Sequence, residues 1–226
     1  MFCPCTSLCV FNGRTPQRSI AFHEGAVVIA LVDYGAGNLQ SVANILQKID
    51  VKYKIATFGE QLKDAEKIIF PGVGHFGHMC SEIDSRKLRQ AMVSQITLGV
   101  PFLGICLGMH LLFDGSSESP TDHGLGVFPG TVRKFSGGER IPHMGWNSFE
   151  LTQSSKILAH EMNGSYGYFA HSYFCPVISK TVALTEHGEP FSAVVEQENI
   201  FGVQFHPEKS ADVGERIIRA FVDLRC

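Results

Sequence analysis

Cys106 sits in Phe102-Leu103-Gly104-Ile105-Cys106-Leu107-Gly108-Met109, where a short apolar strand pattern runs straight into a helical one over Leu107–Phe113. A thiol at a strand-to-helix junction, with a glycine two positions to each side, is the arrangement of a nucleophile elbow. The glycines let the turn close without Cβ clashes. Such a turn pushes the sulfur out at the carboxyl end of its strand, where open α/β sheets bind ligands. The following helix would bring backbone N–H groups and a positive dipole end toward the sulfur, favouring thiolate. On its own the run reads equally well as a small buried core cysteine.

A base and its orienting acid are offered by Gly202-Val203-Gln204-Phe205-His206-Pro207-Glu208-Lys209. A strand would deliver His206 at its end, and Pro207 would stop the ladder there. Glu208 could then turn back to one ring nitrogen and leave the other free to move protons. A third stretch, Ile68-Ile69-Phe70-Pro71-Gly72-Val73-Gly74, ends a strand in spaced glycines that can aim backbone N–H groups at an oxyanion. Taken singly, these two read as a solvated surface turn and an ordinary strand ending.

The elements that must carry these residues alternate between buried strands and amphipathic helices from Val27 onward. Val27–Val32 is an apolar run, Asp33–Gly37 a turn, and Asn38 a helix cap ahead of Leu39, Val42, Ile45, Leu46 and Ile49 at helical spacing. Strands follow at Tyr53–Ala56 and Lys67–Phe70, and a helix over Ser85–Leu98 with Leu88, Met92 and Ile96 on one stripe, stopped by Gly99. The second half is richer in strands, at Thr131–Phe135, Ser148–Leu151, Tyr166–Phe174, Val182–Thr185, Ser192–Gln197 and Ile200–Phe205, before a closing helix from about Ala211. This pattern predicts an α/β fold with a mostly parallel open sheet flanked by helices, flavodoxin-like, in one domain.

Composition narrows the function classes. The 226 residues are 44% hydrophobic and 18% charged, which argues for a large core and against disorder. A net charge of −3 lacks the basic balance of a nucleic-acid binder, so no nucleic-acid partner is expected. No apolar run approaches the roughly 20 residues that cross a bilayer, so no membrane association is expected. The 7 cysteines are odd in number and irregularly spaced, unlike a disulfide framework, and a reducing, cytoplasmic setting is the expectation. Residues 1–26 share none of the later periodicity and read as a disordered leader or a misassigned start, with the working chain opening at Val27 or Val28. A metal reading of Cys3, Cys5 and Cys9 with His23 fits no common zinc spacing.

Together, in this order and on these elements, the three chemical stretches resemble the class I glutamine amidotransferases, whose triad is Cys, His and Glu in that chain order. The resemblance extends to Asp33-Tyr34-Gly35-Ala36-Gly37-Asn38 and to Pro142-His143-Met144-Gly145-Trp146-Asn147, which are similar to the glutaminase subunits of imidazole glycerol phosphate synthase. It runs from about Val27 to the C-terminus and implies one amidotransferase domain over 27–226. It implies that Cys106 attacks the glutamine amide, His206 moves protons and Glu208 orients His206. Backbone groups of Gly72, Val73 and Leu107 would hold the oxyanion. His110, Glu118, His171, Ser172 and Tyr173 would contact the substrate. Trp146, Asn147, Tyr168 and Lys209 would lie at or near the interface with a (β/α)8-barrel cyclase. That partner would use the ammonia to make imidazole glycerol phosphate and AICAR for histidine biosynthesis, in a heterodimer with no cofactor and no metal.

His110 departs from the family, which carries glutamine there. An imidazole offers one donor and one acceptor against the amide's two donors and an acceptor oxygen, so a raised KM for glutamine is expected. His75, His78 and Cys80 read as solvated side chains rather than metal ligands. Two further readings stay open: an amidotransferase subunit feeding another acceptor, such as a surface sugar, and a non-catalytic partner subunit.

Overall fold

Ile29–Val32, the apolar run expected to open the fold, forms β1 with all four residues buried. The structure, a computed structural model, describes residues 28–35, 38–136 and 139–225. The expected leader and Cys3, Cys5 and Cys9 therefore lie outside the described residues.

After β1 come α1 (Leu39–Lys48), β2 (Tyr53–Ala56), β3 (Lys67–Gly72), α2 (Phe76–Ser85), α3 (Leu88–Thr97), β4 (Phe102–Cys106) and the single turn α4 (Leu107–His110). The strand-rich half follows: β5 (Phe113–Ser116), β6 (Ser119–His123), β7 (Phe128–Lys134), β8 (His143–Ser148), β9 (Glu150–Leu151), β10 (Tyr166–His171) and β11 (Tyr173–Phe174). It ends with β12 (Thr181–His187), β13 (Glu189–Gln197), β14 (Ile200–Val203) and α5 (Ala211–Val222). The main sheet has 8 strands in the order β2-β1-β3-β4-β14-β13-β12-β9. Pairing is parallel from β2 through β14 and antiparallel beyond it. The sheet is thus mixed, its parallel part lying where the expectation put it.

Strands β3, β4 and β14 are buried at every residue because helices cover both faces, which is why they read as continuous apolar runs rather than alternating ones. Val42, Leu46, Ile217, Ile218 and Phe221 pack α1 and α5 onto one face, and Phe76, Met79, Ile83, Leu88 and Met92 pack α2 and α3 onto the other. β4 lies between β3 and β14, with Gly72 opposite Cys106 and Val203 opposite Ile105. This register places the three chemical stretches at one end of adjacent parallel strands, although they are far apart in sequence.

Four local expectations are corrected. The helix expected over Ser85–Leu98 is interrupted at Lys87, whose φ of 56° is left-handed, while the Arg86 carbonyl accepts from Gly59 N–H. The helix expected over Leu107–Phe113 stops after one turn, because the Leu111, Leu112 and Phe113 carbonyls accept from Leu125, Val127, Phe128 and Gly126 and draw the chain into β5. The strand expected over Tyr166–Phe174 divides at Ser172, with β10 pairing β8 and β11 pairing β7. Asn38 begins α1 with φ 79° and makes no side-chain capping bond. Among the described residues no helix is long and apolar enough to cross a membrane.

Candidate active site

Cys106 ends β4 with φ 54° and ψ −108°, a conformation a side-chain-bearing residue holds only when its surroundings enforce it. The enforcement comes from close packing on both sides of the turn. A Cβ on Gly104 would lie 2.4 Å from the Gly108 carbonyl oxygen, and one on Gly108 would lie 2.1 Å from that of Phe70. The elbow is therefore built by glycines needed for close approach. Because α4 is a single turn, little helix dipole is available to the sulfur, contrary to expectation.

Charge at the sulfur comes from the other side. β14 delivers the chain to His206, whose N–H donates to the Tyr168 carbonyl at 2.8 Å and whose carbonyl accepts from Ser210 Oγ at 2.7 Å. The ring is held by Glu208, with Nδ1 to Oε1 at 2.7 Å, and both side chains are almost fully buried. Nε2 is left free of Glu208, and the Cys106 sulfur lies near enough to this ring to raise its proton affinity. Burial alone would depress the imidazolium, but the charge and hydrogen bond of the Cys106 sulfur, with Glu208, reverse this and raise it to about 10. The ring therefore holds its proton near neutrality, and a protonated imidazole can act as a general acid. Asn38, expected only as a cap, donates from its amide to Glu208 Oε1 and sits 3.3 Å from His206 Nδ1.

Gly72 and Leu107 flank the sulfur through the strand register and the turn. The Val73 N–H, the third expected oxyanion donor, is turned to the Tyr34 hydroxyl at 3.2 Å, and that hydroxyl also lies 3.1 Å from the Val73 carbonyl. Tyr34 is buried and stacked on Phe70, and burial pushes its phenol well above the usual range.

A cavity of about 280 Å³ opens beside Cys106, lined by Val73, Leu107, His110, Glu118, His171, Ser172 and Tyr173, with Gly74, Pro142, Met144 and Ala170. It falls just below the roughly 300–1,000 Å³ of drug-sized sites, a scale that suits a single amino acid. All five expected substrate contacts reach it. Glu118 stands at the β5–β6 turn and accepts from Phe76 N–H at 2.8 Å, so it also caps α2. His171 donates from Nδ1 to the Tyr173 carbonyl at 2.8 Å, which leaves Nε2 to accept from His143 Nδ1 at 3.1 Å. His143 Nε2 then accepts from the Asn147 amide at 3.2 Å. Burial holds both rings neutral, His143 at about 4 and His171 well below its ordinary value.

The four expected interface residues divide. Trp146 and Tyr168 are paired across β8 and β10 with rings 6.1 Å apart, and Lys209 Nζ lies 5.7 Å from the Tyr168 ring centre. Trp146 is 54% exposed and Met144 64%, so this face is apolar and open. Asn147 turns to the opposite face, where it donates to the Glu186 carbonyl at 2.9 Å. Among the described residues no group of three or more His, Cys, Asp or Glu is placed to hold a metal. His75 is instead the cap of α2, accepting from Gly77 N–H at 3.1 Å.

Three residues at the site were not foreseen in these roles: Tyr34, Asn38 and Gln204. Gln204 is fully buried within the apolar run Ile200–Phe205, and a lone polar residue in such a run was the available signal.

The described geometry agrees with relationships to known proteins. The class-I glutamine amidotransferase family model matches residues 30–224. The chain is 40% identical over 198 residues to the imidazole glycerol phosphate synthase subunit HisH of Methanothermobacter thermautotrophicus, covering 87% of this chain and 98% of that one. It is 41% identical to the subunit of the same name from Methanocaldococcus jannaschii, covering 87% and 100%. A solved glutamine amidotransferase superposes with a TM-score of 0.69 at 19% identity over 88% of this chain and 98% of that one. The PurLQS structure from Thermotoga maritima does so with 0.69 at 18%, again over 88% and 98%; at these identities the likeness concerns the fold. The chain belongs to the class-I glutamine amidotransferases, in the branch formed by the HisH subunits of imidazole glycerol phosphate synthase.

Proposed function

We propose that this chain hydrolyses glutamine to glutamate and ammonia and passes the ammonia to a (β/α)8-barrel cyclase subunit that makes imidazole glycerol phosphate and AICAR in histidine biosynthesis. The observation that carries the reading is Cys106 lining an amino-acid-sized cavity with the His206–Glu208 pair beside it, in a chain that aligns with 98% and 100% of the length of two HisH subunits. The cyclase partner is supported further by the Emericella nidulans protein named hisHF, 39% identical over 208 residues that make up only 38% of its length.

In this mechanism the Cys106 thiolate attacks the side-chain amide carbon of glutamine, and N–H groups of Gly72, Val73 and Leu107 receive the oxyanion. His206 gives its proton to the amide nitrogen, the C–N bond breaks and ammonia leaves a glutamyl thioester. Water then attacks as His206 takes a proton, and the thiolate departs to free glutamate. Glu208 holds the ring throughout and Asn38 steadies Glu208. His110, Glu118, His171, Ser172 and Tyr173 form the substrate cavity. Trp146, Tyr168 and Lys209 face the partner, with Asn147 turned to the other side of Trp146's strand. The catalytic unit is one domain over 27–226. A cytoplasmic setting accords with Cys80, Cys106 and Cys175 being free thiols.

The test is glutamate release measured with and without the cyclase subunit and its nucleotide. Slow release alone, strong stimulation by the loaded partner and silence of Cys106→Ala are expected. Release that persists in Cys106→Ala would overturn the reading.

A further inference from the structure

The Gln204 side chain, which is not part of the cavity lining, reaches Cys106, and no step above uses it. Its Nε2 lies 3.8 Å from Cys106 Sγ, and its Oε1 lies 2.9 Å from His110 Nε2. Gln204 is 0% exposed and His110 4%, so water does not compete for either contact.

The protons of this chain of three are fixed by valence. An amide oxygen only accepts, so His110 Nε2 must carry a hydrogen. Burial holds the His110 imidazolium down at about 4, so near neutrality the ring is neutral and that hydrogen is its only one. The Gln204 oxygen is thereby engaged, and its NH2 end is left facing the sulfur. The reverse orientation would set an amide oxygen against a thiolate, two electron-rich groups in a dry site, which is costly.

We propose that Gln204 is a catalytic hydrogen-bond donor to the Cys106 thiolate and that His110, through its Nε2–H, is the positioning residue that keeps the Gln204 amide in that orientation. The proposal rests on the reading of Cys106 as nucleophile. Gln204 does not line the cavity, so it takes up none of the space in which the substrate would meet the sulfur. It stabilises the thiolate before attack and again when the thiolate leaves the thioester. The histidine at position 110 thus has a task of its own, for which its donor at Nε2 suffices.

The experiment is the pH profile of iodoacetamide modification of full-length protein, read by mass spectrometry on the peptide that carries Cys106. The other titratable groups around the sulfur, His206, Glu208, Tyr34, Cys175 and His171, are left intact. Gln204→Met, which keeps length and apolarity, is expected to move the midpoint up by about one pH unit, a tenfold loss of thiolate at fixed pH. His110→Leu is expected to move it in the same direction, and His110→Gln, which again presents an N–H to Gln204, to return it to the wild-type position. Should Gln204→Met not fold, the His110→Leu and His110→Gln pair decides the matter. A purely structural role would lower the melting temperature and leave the midpoint in place; an unmoved midpoint in folded Gln204→Met or His110→Leu would overturn the proposal. Glutamate release by Cys106→Ala in the reconstituted synthase reports separately on the nucleophile.

Discussion

The Tyr34 hydroxyl stands 3.2 Å from the Val73 nitrogen and so occupies an N–H that the proposed mechanism assigns to the oxyanion. In this conformation the oxyanion site lacks one of its expected donors, and a complete site requires Tyr34 and Val73 to part. Tyr34→Phe keeps the stacking on Phe70 and removes the competing hydroxyl. The expected outcome is several-fold faster glutamate release without the partner, with stability lower by about 0.5–1.5 kcal/mol for the lost hydrogen bond. Release assays and urea unfolding of the variant measure both.

His206 carries a raised proton affinity, about 10 against an ordinary 6.5, because the Cys106 sulfur and Glu208 outweigh burial. A group raised on folding contributes stability that is fully present below pH 6.5 and is lost as pH rises through about 10. Cys106→Ser removes the sulfur that raises the ring, so the ring midpoint should fall by more than one unit in an NMR titration. The loss of stability should begin at correspondingly lower pH.

How much of this was legible in the sequence depended on whether contacts were local. The elbow around Cys106, the His206-Pro207-Glu208 turn and the buried parallel strands follow from spacing and hydrophobic runs, and they were read correctly. Spacing overstates the helix after Cys106, because carbonyls of Leu111, Leu112 and Phe113 are claimed by residues a dozen or more positions away, and tertiary pairing overrides local propensity. Asn38 and Tyr34 lie in a stretch that reads as a turn and a cap and shares the family resemblance, with no role attached to either residue. Their partners, Glu208 and Val73, are 170 and 39 residues distant, and single-sequence periodicity carries no such information. Gln204 was printed in plain view, yet its meaning required knowing that His110 lies beside it.

Three buried histidines, His110, His143 and His171, are held neutral chiefly by burial, the first two at about 4. A histidine depressed on folding binds its proton more weakly in the folded chain, so the unfolded chain holds more protons between about 4 and 6.5. Stability is therefore expected to fall as pH drops through that window. Each group contributes a slope of about 1.4 kcal/mol per pH unit. His110→Gln should remove one such share, measured as a shallower decline of the urea midpoint between pH 6.5 and 4.

Trp146 is 54% exposed and braced by Tyr168 on the open face of β8 and β10. A large aromatic side chain held in place and left uncovered is the residue type that anchors interfaces. Trp146→Ala is expected to weaken association with the cyclase subunit tenfold or more, about 1.4 kcal/mol, without altering the circular dichroism of the isolated chain. Calorimetric titration of one subunit into the other reads the change.

The most direct trial of the amide-cleaving site is to expose the assembled synthase to a glutamine-shaped diazoketone and find the modified peptide by mass spectrometry. One adduct on Cys106, prevented by excess glutamine and strongly reduced in His206→Ala, is expected. An adduct on another residue, or labelling of Cys106 that glutamine does not protect, would contradict a thiolate, imidazolium and carboxylate acting together on glutamine at this sheet edge.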